Sequence, residues 1–414
     1  MNIGIDLTAL MPHHTGIDRF LVNTVRHLAL IQPEALDCRF TVFANREDLA
    51  LLRGVLPRSF AVHGLCLRPR IFRLFFQQVI LPLAAIVLRL DVVHSPSFII
   101  PVFRARARHV LTVHDLTTIT LPDVHIPLRR SKAFGLALGR SIRKADLVCV
   151  PSRFVKDDIV RRIPGSHSDR IRVIPHGIEE QFTPAAIDRA PDVAKRLGLN
   201  APYILYLGNI DPRKNVDVLI RSYQELVVRG KIEEHLVLAG PLGWGVDEVL
   251  RLAKADAIVD RVHFPGYIPD ADMPALMAGA RLFVFPSQAE GFGFPPLEAM
   301  ACGVPVIATD TSALAENLTG AAEMVPPNDQ DALTDRIRRV LGDRRLAEEM
   351  AANGIECASR FRWDANARSL LDCYRELREN DQIDAGAARE EPSLVPTGGF
   401  ARGRDSQEKA KDSL

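Results

Sequence analysis

Short runs of β-branched and aliphatic residues alternate with amphipathic stretches along most of this 414-residue chain. In the first half these runs cover residues 2–6, 39–43, 91–94, 109–113, 146–150 and 171–174. In the second half they cover residues 203–208, 235–239, 261–264, 282–285, 304–308 and 322–325. Such alternation is typical of βαβ units that build a parallel sheet. It predicts an α/β chain with two Rossmann-like domains whose strands end at a central cleft.

The predicted domain boundaries follow the breaks in this pattern. Residues 181–202 are rich in Pro, Gly and charge, which indicates the connection between domains of residues 1–180 and 181–362. An amphipathic helix at residues 363–378 is expected to pack back on the first domain. Residues 379–414 are rich in charge, Gly and Ser, which predicts a disordered tail.

The charge is unevenly distributed, although the net charge is only +1. Residues 1–180 contain 25 Lys and Arg against 15 Asp and Glu, so the first domain is basic. Such a surface suits nucleic acid, an acidic substrate or an anionic membrane. No nucleic-acid recognition motif accompanies the charge, so we expect no nucleic-acid partner. Six scattered cysteines without a CxxC pair indicate reduced thiols in a cytoplasmic protein.

The most apolar stretch of the sequence is residues 79–88. It is about half as long as the ~20 residues that span a bilayer. Together with the phenylalanines that precede it, the segment 70–89 allows two interpretations: an interfacial helix at a membrane, or a core helix with polar ends. Arginines nearby in sequence, such as Arg104 and Arg106, favour contact with an anionic surface.

The segment Phe285–Met300 carries the most specific chemistry. It ends a predicted strand and begins a helix, and Gly291 and Gly293 allow the backbone to approach a ligand closely. Free N–H groups at the helix start suit a diphosphate, and the carboxylate of Glu298 suits the vicinal diol of a ribose. Glu290 would then face the reacting end of the ligand. Taken singly, either glutamate could also serve only as a helix cap.

The spacing of Glu290 and Glu298 resembles the E-x7-E motif of glycosyltransferase family 4, a group of retaining enzymes with the GT-B fold. The following sequence AMACGVPVIA is also similar to that family, and the resemblance extends to about Arg378. It implies a nucleotide-sugar donor, with Glu298 on the nucleotide ribose and Glu290 on the donor sugar. The second domain would bind this donor, and the first would face the acceptor. The glycine-rich turn is expected to contact the donor through Gly291, Phe292, Gly293 and Phe294.

A second loop, Gly208–Asn215, also matches the family. Lys214 matches the family's phosphate-binding lysine, whereas many relatives have an arginine where this chain has Asn209. The resemblance therefore makes Arg213 the candidate substitute beside the diphosphate. The sequence DPRKN resembles a branch rich in mannosyltransferases, which implies GDP-mannose as the donor. UDP-glucose or another nucleotide sugar is the alternative.

The first domain contributes Gly16, at the first strand–helix turn, where its N–H can reach the donor phosphate. His114 follows a strand at the cleft, and the resemblance implies that it contacts the donor sugar and assists the chemistry. The base of the nucleotide is expected to meet the loop of Gly266, Tyr267 and Ile268.

No metal ion or cofactor is expected. Asp270 and Asp272 form a DxD sequence, but they fall at a predicted helix start, where Asp is a common cap. Arg213, Lys214 and the helix dipole can stabilise a leaving diphosphate without a metal.

The sequence therefore predicts a retaining glycosyltransferase that transfers a hexose to a saccharide acceptor. The acceptor is expected to be lipid-linked, and the enzyme to touch the cytoplasmic face of the membrane peripherally. A non-catalytic sugar-nucleotide-binding protein is the alternative from another functional class. The presence of Glu290, Glu298, Lys214 and His114 together argues against it.

Overall fold

The computed structural model describes residues 1–11, 16–32, 36–67, 70–120 and 128–390. Its strands form two parallel sheets, one of seven strands in the order β3-β2-β1-β4-β5-β6-β7 and one of six in the order β10-β9-β8-β11-β12-β13. The first sheet contains β1 (Asn2–Asp6), β2 (Arg39–Asn45), β3 (Ala61–Leu65), β4 (Val92–Ser95), β5 (Arg108–Thr112), β6 (Leu147–Val150) and β7 (Ile171–Val173). The second contains β8 (Tyr203–Leu207), β9 (His235–Ala239), β10 (Val262–Gly266), β11 (Leu282–Phe285), β12 (Val306–Thr309) and β13 (Glu323–Val325).

Helices connect these strands and cover both faces of the sheets. Those that follow the first sheet's strands are α1 (Gly16–Leu30), α2 (Leu49–Val55), α3 (Arg70–Phe75), α4 (Leu81–Val87), α5 (Thr117–Thr120), α6 (Leu128–Lys144) and α7 (Arg153–Arg162). The remaining ones are α8 (Ala190–Arg196), α9 (Val216–Val228), α10 (Asp247–Ala253), α11 (Met273–Ala278), α12 (Phe294–Ala301), α13 (Ser312–Leu318), α14 (Gln330–Gly342), α15 (Arg344–Ala358) and α16 (Trp363–Glu390).

The predicted α/β class with two parallel sheets is confirmed. Central strands such as β4, β6, β11 and β12 are buried along their whole length, because helices cover them on both sides. Strand β3 was not predicted. It lies at the edge of its sheet, is largely exposed, and has no continuous apolar run that would mark it in the sequence.

The interpretation of residues 181–202 as a connecting segment is wrong for most of that range. Pro184–Arg189 forms a 3-10 helix and α8 follows it directly, and Val193 of α8 is buried in the core of the second sheet. The prolines were read as breaks, but Pro184 and Pro191 lie in the first turns of these helices, where a missing N–H costs nothing.

Helix α16 returns to the first sheet after the second has been completed. Trp363, Leu370, Leu371, Tyr374 and Leu377 are buried in the same apolar cluster as α1, β1 and β2. The helix runs to Glu390, so the prediction of a tail from residue 379 is wrong for residues 379–390. Charge and small residues are compatible with helix when the preceding turns are fixed by packing. Residues 391–414 lie outside the described part of the chain.

The packing of α16 leads to a stability prediction. Leu371→Ala should lower the free energy of unfolding by about 2–5 kcal/mol, because it leaves a cavity in this cluster. Urea denaturation followed by tryptophan fluorescence measures this change. In a Trp244→Phe background, Trp363 is the remaining tryptophan, and it lies in the cluster. Val228→Ala, at an exposed position of α9, should change stability by less than about 0.5 kcal/mol. Equal effects of the two substitutions would contradict the burial of α16.

Candidate active site

The carboxyl ends of the strands in the two sheets meet across a cleft, where four pieces of chain converge. The loop between β11 and α12 carries Glu290 and Glu298, and the loop after β8 carries Arg213 and Lys214. From the other sheet come the start of α1 and the residues that follow β5. Almost all the residues singled out in the sequence are therefore close to this junction.

Glu298 lies in the second turn of α12 and is fully buried. The helix begins after Gly293, whose φ of 92° is the left-handed conformation that glycine adopts without strain. Arg19 of α1 places Nη1 2.7 Å from Oε1 of Glu298, and its Nη2 lies 2.5 Å from Glu179. Arg19 therefore forms an ionic link between the two domains.

The ion pair leaves hydrogen-bonding capacity at Glu298. Arg19 Nη1 lies at hydrogen-bonding distance from Oε1, whereas no donor within the described part of the chain reaches Oε2. Burial raises the pKa of Glu298 to about 7, against the lowering effect of the Arg19 charge. A buried carboxylate with acceptor capacity left at Oε2 suits a ligand that brings its own donors, such as a vicinal diol.

Glu290 has the opposite environment. Lys214 Nζ lies 2.5 Å and Ser287 Oγ 2.6 Å from its Oε1, and Arg213 Nη1 lies at 3.3 Å. Burial alone would raise the pKa of Glu290, but Lys214 and Arg213 hold it at about 2. Burial also lowers the pKa of Lys214. Glu290 is therefore a fixed anion inside a cationic cluster, and both predicted phosphate-binding cations touch it.

His114 is buried with both ring nitrogens engaged. Because the carbonyl oxygen of Pro96 can only accept, His114 donates to it from Nε2 over 2.9 Å. Burial lowers the pKa of His114, so the ring is neutral and Nδ1 accepts a long bond of 3.4 Å from Nε2 of His176. A donor hydroxyl could reach Nδ1 of His114 only by replacing His176.

The two domains touch directly beside His114. A Cβ added at Gly291 would overlap the carbonyl oxygen of His114, so only glycine allows this approach. The hydroxyl of Ser152 donates to the Gly291 carbonyl over 2.9 Å and also caps α7 by accepting from the N–H of Val155. From α13, the Glu316 carboxylate accepts from the backbone N–H groups of Arg153 and Phe154. These contacts define a closed arrangement of the domains.

A cavity of about 340 Å³ remains between the domains beside Glu290. Its lining includes Asp115, Thr117, Phe154, Asp158, Glu290 and Asn328. Both domains contribute to these walls, so the cavity can hold a small polar group next to the carboxylate of Glu290.

The other predicted site residues are distributed around the junction. Gly16 begins α1, and a Cβ there would lie 3.5 Å from the Phe294 ring. Phe294 is partly buried and stacks on His176 with ring centroids 5.3 Å apart. Phe292 is buried in the same aromatic cluster, so it could serve a ligand only through its backbone. Around the end of β10, Gly266 has a φ of 73°, Tyr267 is exposed and Ile268 is buried.

Asp272 of the DxD sequence forms ion pairs within its own domain. Arg196 Nη2 lies 2.7 Å and Arg189 Nη2 3.5 Å from Asp272 Oδ1, which ties α8 to the start of α11. Asp272 itself is the N-cap residue of α11, where its side chain forms no capping hydrogen bond.

Sequence reasoning missed the roles of Arg19, Glu179, Ser287 and His176. Arg19 lies in the first turn of α1, where the helix dipole disfavours a cation, so its placement itself signals a specific anionic partner. His176 follows the last strand of the first sheet, as His114 follows β5, and this parallel was the available signal. Glu179 and Ser287 gave no signal beyond their place in loops.

Comparison with known proteins shows the family of the chain. Residues 15–182 match the family model described as Glycosyltransferase Family 4, and residues 192–357 match the one described as Glycosyl transferases group 1. The O-antigen chain mannosyltransferase B of Escherichia coli is 33% identical over 285 residues, which are 69% of this chain and 74% of that protein. The chain belongs to glycosyltransferase family 4.

Two further proteins are similar to this chain. A D-inositol 3-phosphate glycosyltransferase of Salinispora arenicola is 31% identical over 252 residues, 57% of this chain and 56% of that protein. The sucrose-phosphate synthase of Thermosynechococcus elongatus superposes with a TM-score of 0.72 at 22% identity, covering 92% of this chain and 99% of that one. The structural likeness shows the GT-B fold. With the mannosyltransferase match, the family establishes that the protein is a glycosyltransferase.

The contact at Gly291 leads to a prediction about domain closure. Gly291→Ala should hold the domains apart, because the added methyl group would overlap the carbonyl of His114. Small-angle X-ray scattering should show a larger radius of gyration, and transferase activity should fall by about 10²-fold or more.

Gly342→Ala is the matched control, since a Cβ at that position meets nothing within 4 Å. It should leave both the radius of gyration and the activity unchanged. A Gly291→Ala protein as compact and as active as the unsubstituted protein would show that the closed arrangement is not the active one.

Proposed function

We propose that this glycosyltransferase transfers a hexose, mannose from GDP-mannose, to a saccharide acceptor with retention of the anomeric configuration. The similarity to an O-antigen chain mannosyltransferase supports the sugar. The resemblance of the DPRKN loop to a mannosyltransferase-rich branch supports the same assignment, including the guanine nucleotide.

The observation that carries the nucleotide-sugar assignment is the state of Glu298. This fully buried carboxylate is paired with Arg19 at Oε1, and Oε2 has no partner among the described residues, which leaves acceptor capacity for a ligand that supplies donors. The 2′- and 3′-hydroxyls of a ribose provide two. The start of α12 lies one turn away, so the diphosphate of the same ligand would lie at the positive end of its dipole, where Pro295 and Pro296 leave the N–H of Phe294 as a donor.

The proposed binding mode uses the remaining predicted residues. The N–H of Gly16 and the cations Arg213 and Lys214 hold the diphosphate, and the loop of Gly266, Tyr267 and Ile268 meets the base. In this binding mode Lys214 and Arg213 interact with the phosphate and with Glu290 at the same time, because Glu290 lies within 3.3 Å of both cations. His114 exchanges its long bond to His176 for one to a hydroxyl of the sugar.

In the proposed reaction, the acceptor hydroxyl oxygen bonds to the anomeric carbon on the face from which the diphosphate leaves. The bond from that carbon to the phosphate oxygen breaks, and the hydroxyl proton passes to the leaving phosphate. The fixed negative charge of Glu290 stabilises positive charge that develops on the sugar. Arg213 and Lys214 stabilise the leaving group, so no metal ion is required. Domain closure at Gly291 excludes water from the donor.

The acceptor in this proposal is a lipid-linked saccharide, used on the cytoplasmic face of the membrane with peripheral contact of the enzyme. The basic charge of residues 1–180 supports an anionic, membrane-bound acceptor on that side of the cleft.

The deciding experiment combines nucleotide-sugar binding with analysis of the product. GDP-mannose should raise the melting temperature, whereas UDP-glucose and ADP-glucose should not. NMR of the transfer product should show the anomeric configuration of the donor. A shift with UDP-glucose alone would overturn the choice of donor, an inverted product would overturn retention, and no binding of any nucleotide sugar would overturn the proposal itself.

The pKa of Glu298 predicts how donor affinity depends on pH. The ionised carboxylate accepts both ribose hydrogen bonds, and with a pKa of about 7 its ionised fraction rises between pH 6 and pH 8. Affinity for GDP-mannose should therefore rise by about tenfold over that range. Isothermal titration calorimetry measures it, and the sugar-linked diphosphate has no ionisation of its own in that interval.

Glu298→Gln is the matched control, because the amide keeps the shape of the side chain and does not titrate. Its affinity should be weaker and constant between pH 6 and pH 8. The same pH dependence in both proteins would assign the titration to another group and would contradict the role of Glu298.

A further inference from the structure

The helical segment that leads from β3 to β4 exposes apolar side chains on the outside of the first domain. It consists of α3, the π-helical turn Phe76–Ile80 and α4. Phe76, Leu81 and Ala85 pack inward against the sheet. The side chains that are more than half exposed on this segment are Ile71, Phe72, Phe75, Leu83, Ile86 and Val87. We call these six residues the apolar face.

A second loop extends this surface. Gln78 in the π-helical turn accepts a hydrogen bond of 2.7 Å from the backbone N–H of Val102. Beside it, the side chain of Phe103 is 77% exposed. Arg140 of α6 donates to the carbonyl of Val102 over 3.0 Å, which holds the loop against the domain. Exposed apolar side chains on two neighbouring segments are unusual for a surface that faces only water.

The sequence around the apolar face is predominantly basic, although Arg104 and Arg108 are paired with Asp146. Residues 70–108 contain six arginines and a single acidic residue, Asp91. Asp91 accepts a hydrogen bond of 2.7 Å from the backbone N–H of Asn2, so its carboxylate is engaged at the sheet edge. Arg89 follows the helical segment by two residues, Arg106 follows Phe103 by three, and both are exposed. An apolar surface rimmed by cations matches the acyl boundary and anionic headgroups of a bilayer.

The position of the surface connects it to the active site. Gln77 donates to Asp6 at the end of β1 over 2.8 Å, so the π-helical turn lies at the cleft edge of the sheet. The chain from Pro96, whose carbonyl accepts from His114, runs to Val102 and Phe103 within seven residues. A saccharide carried on lipid could therefore extend from this surface to the cleft.

We propose that the apolar face, Phe103 and the arginines beside them dock the enzyme on an anionic bilayer. A second copy of the chain is disfavoured as the occupant, because a symmetric dimer through this face would bring like charges together. Among the described residues no helix is long and apolar enough to cross a membrane, so the contact lies in the interface. The biological role of this docking surface rests on the proposed function, whereas bilayer binding itself can be measured without any acceptor.

The test is flotation of the full chain with vesicles of phosphatidylcholine alone and with about 30% phosphatidylglycerol. The protein should float with the anionic vesicles, and high salt or the double substitution Arg89→Glu/Arg106→Glu should release it. Phe72→Ser/Phe75→Ser should lower the bound fraction by roughly tenfold or more. The matched control is Val228→Ser/Val259→Ser, which replaces two exposed apolar residues of the second domain and should leave flotation unchanged.

The melting-temperature shift with GDP-mannose should persist in Phe72→Ser/Phe75→Ser, which shows that the donor site is intact. If no nucleotide sugar binds but flotation behaves as expected, the proposed function fails and the docking surface stands. Absence of flotation, flotation insensitive to the phenylalanine substitutions, or a dimer that these substitutions dissociate would overturn the docking surface.

Discussion

The structure depends on the placement of one buried charge at the junction of its domains. A carboxylate such as that of Glu298 is costly inside a protein unless a counter-charge accompanies it. The counter-charge here is Arg19, at the start of a helix in the other domain, and Glu179 holds Arg19 in turn. In the proposed binding mode, Glu298 is also the acceptor for the nucleotide ribose. That proposal couples donor binding to domain closure through one side chain, because a ribose on Glu298 must share it with Arg19 or displace it.

The surroundings of the two glutamates of the motif give their carboxyl groups very different pKa values. Lys214 and Arg213 hold the pKa of Glu290 at about 2, whereas burial raises that of Glu298 to about 7. Carboxyl groups whose pKa values are pushed apart in this way commonly have different tasks. Glu290 is a permanent anion, suited to electrostatic stabilisation at the sugar. Glu298 changes charge near neutral pH and is suited to a ligand that supplies hydrogen-bond donors.

Much of the fold could be predicted from the sequence, because buried parallel strands are continuous apolar runs. Strand β11 and helix α12 were located to within a residue or two, and with them the spacing of Glu290 and Glu298. Strand β3 could not be found, since an exposed edge strand has no such run. The helices around Pro184 and Pro191 were missed because proline marks both the start of a helix and its interruption.

The site was predictable where its residues lie near each other in the sequence and not where they meet across the fold. The pairing of Arg19 with Glu298 joins residues 279 positions apart, and no local pattern specifies it. The hydrogen bonds that fix His114 also come from other strands, through Pro96 and His176. These contacts decide which atoms remain available to a ligand, so they require coordinates.

The central claim is that Glu298 binds the ribose of the donor and that Glu290 acts at the reacting sugar. Steady-state kinetics with the donor varied tests this claim most directly. Glu298→Gln should raise KM for the donor by about tenfold or more with little change in kcat, because the ribose contact is made equally in the ground and transition states. Glu290→Gln should lower kcat by about 10²-fold or more with KM nearly unchanged, because its charge acts at the reacting sugar. The reverse pattern, or a Glu290→Gln enzyme with full kcat, would contradict the account.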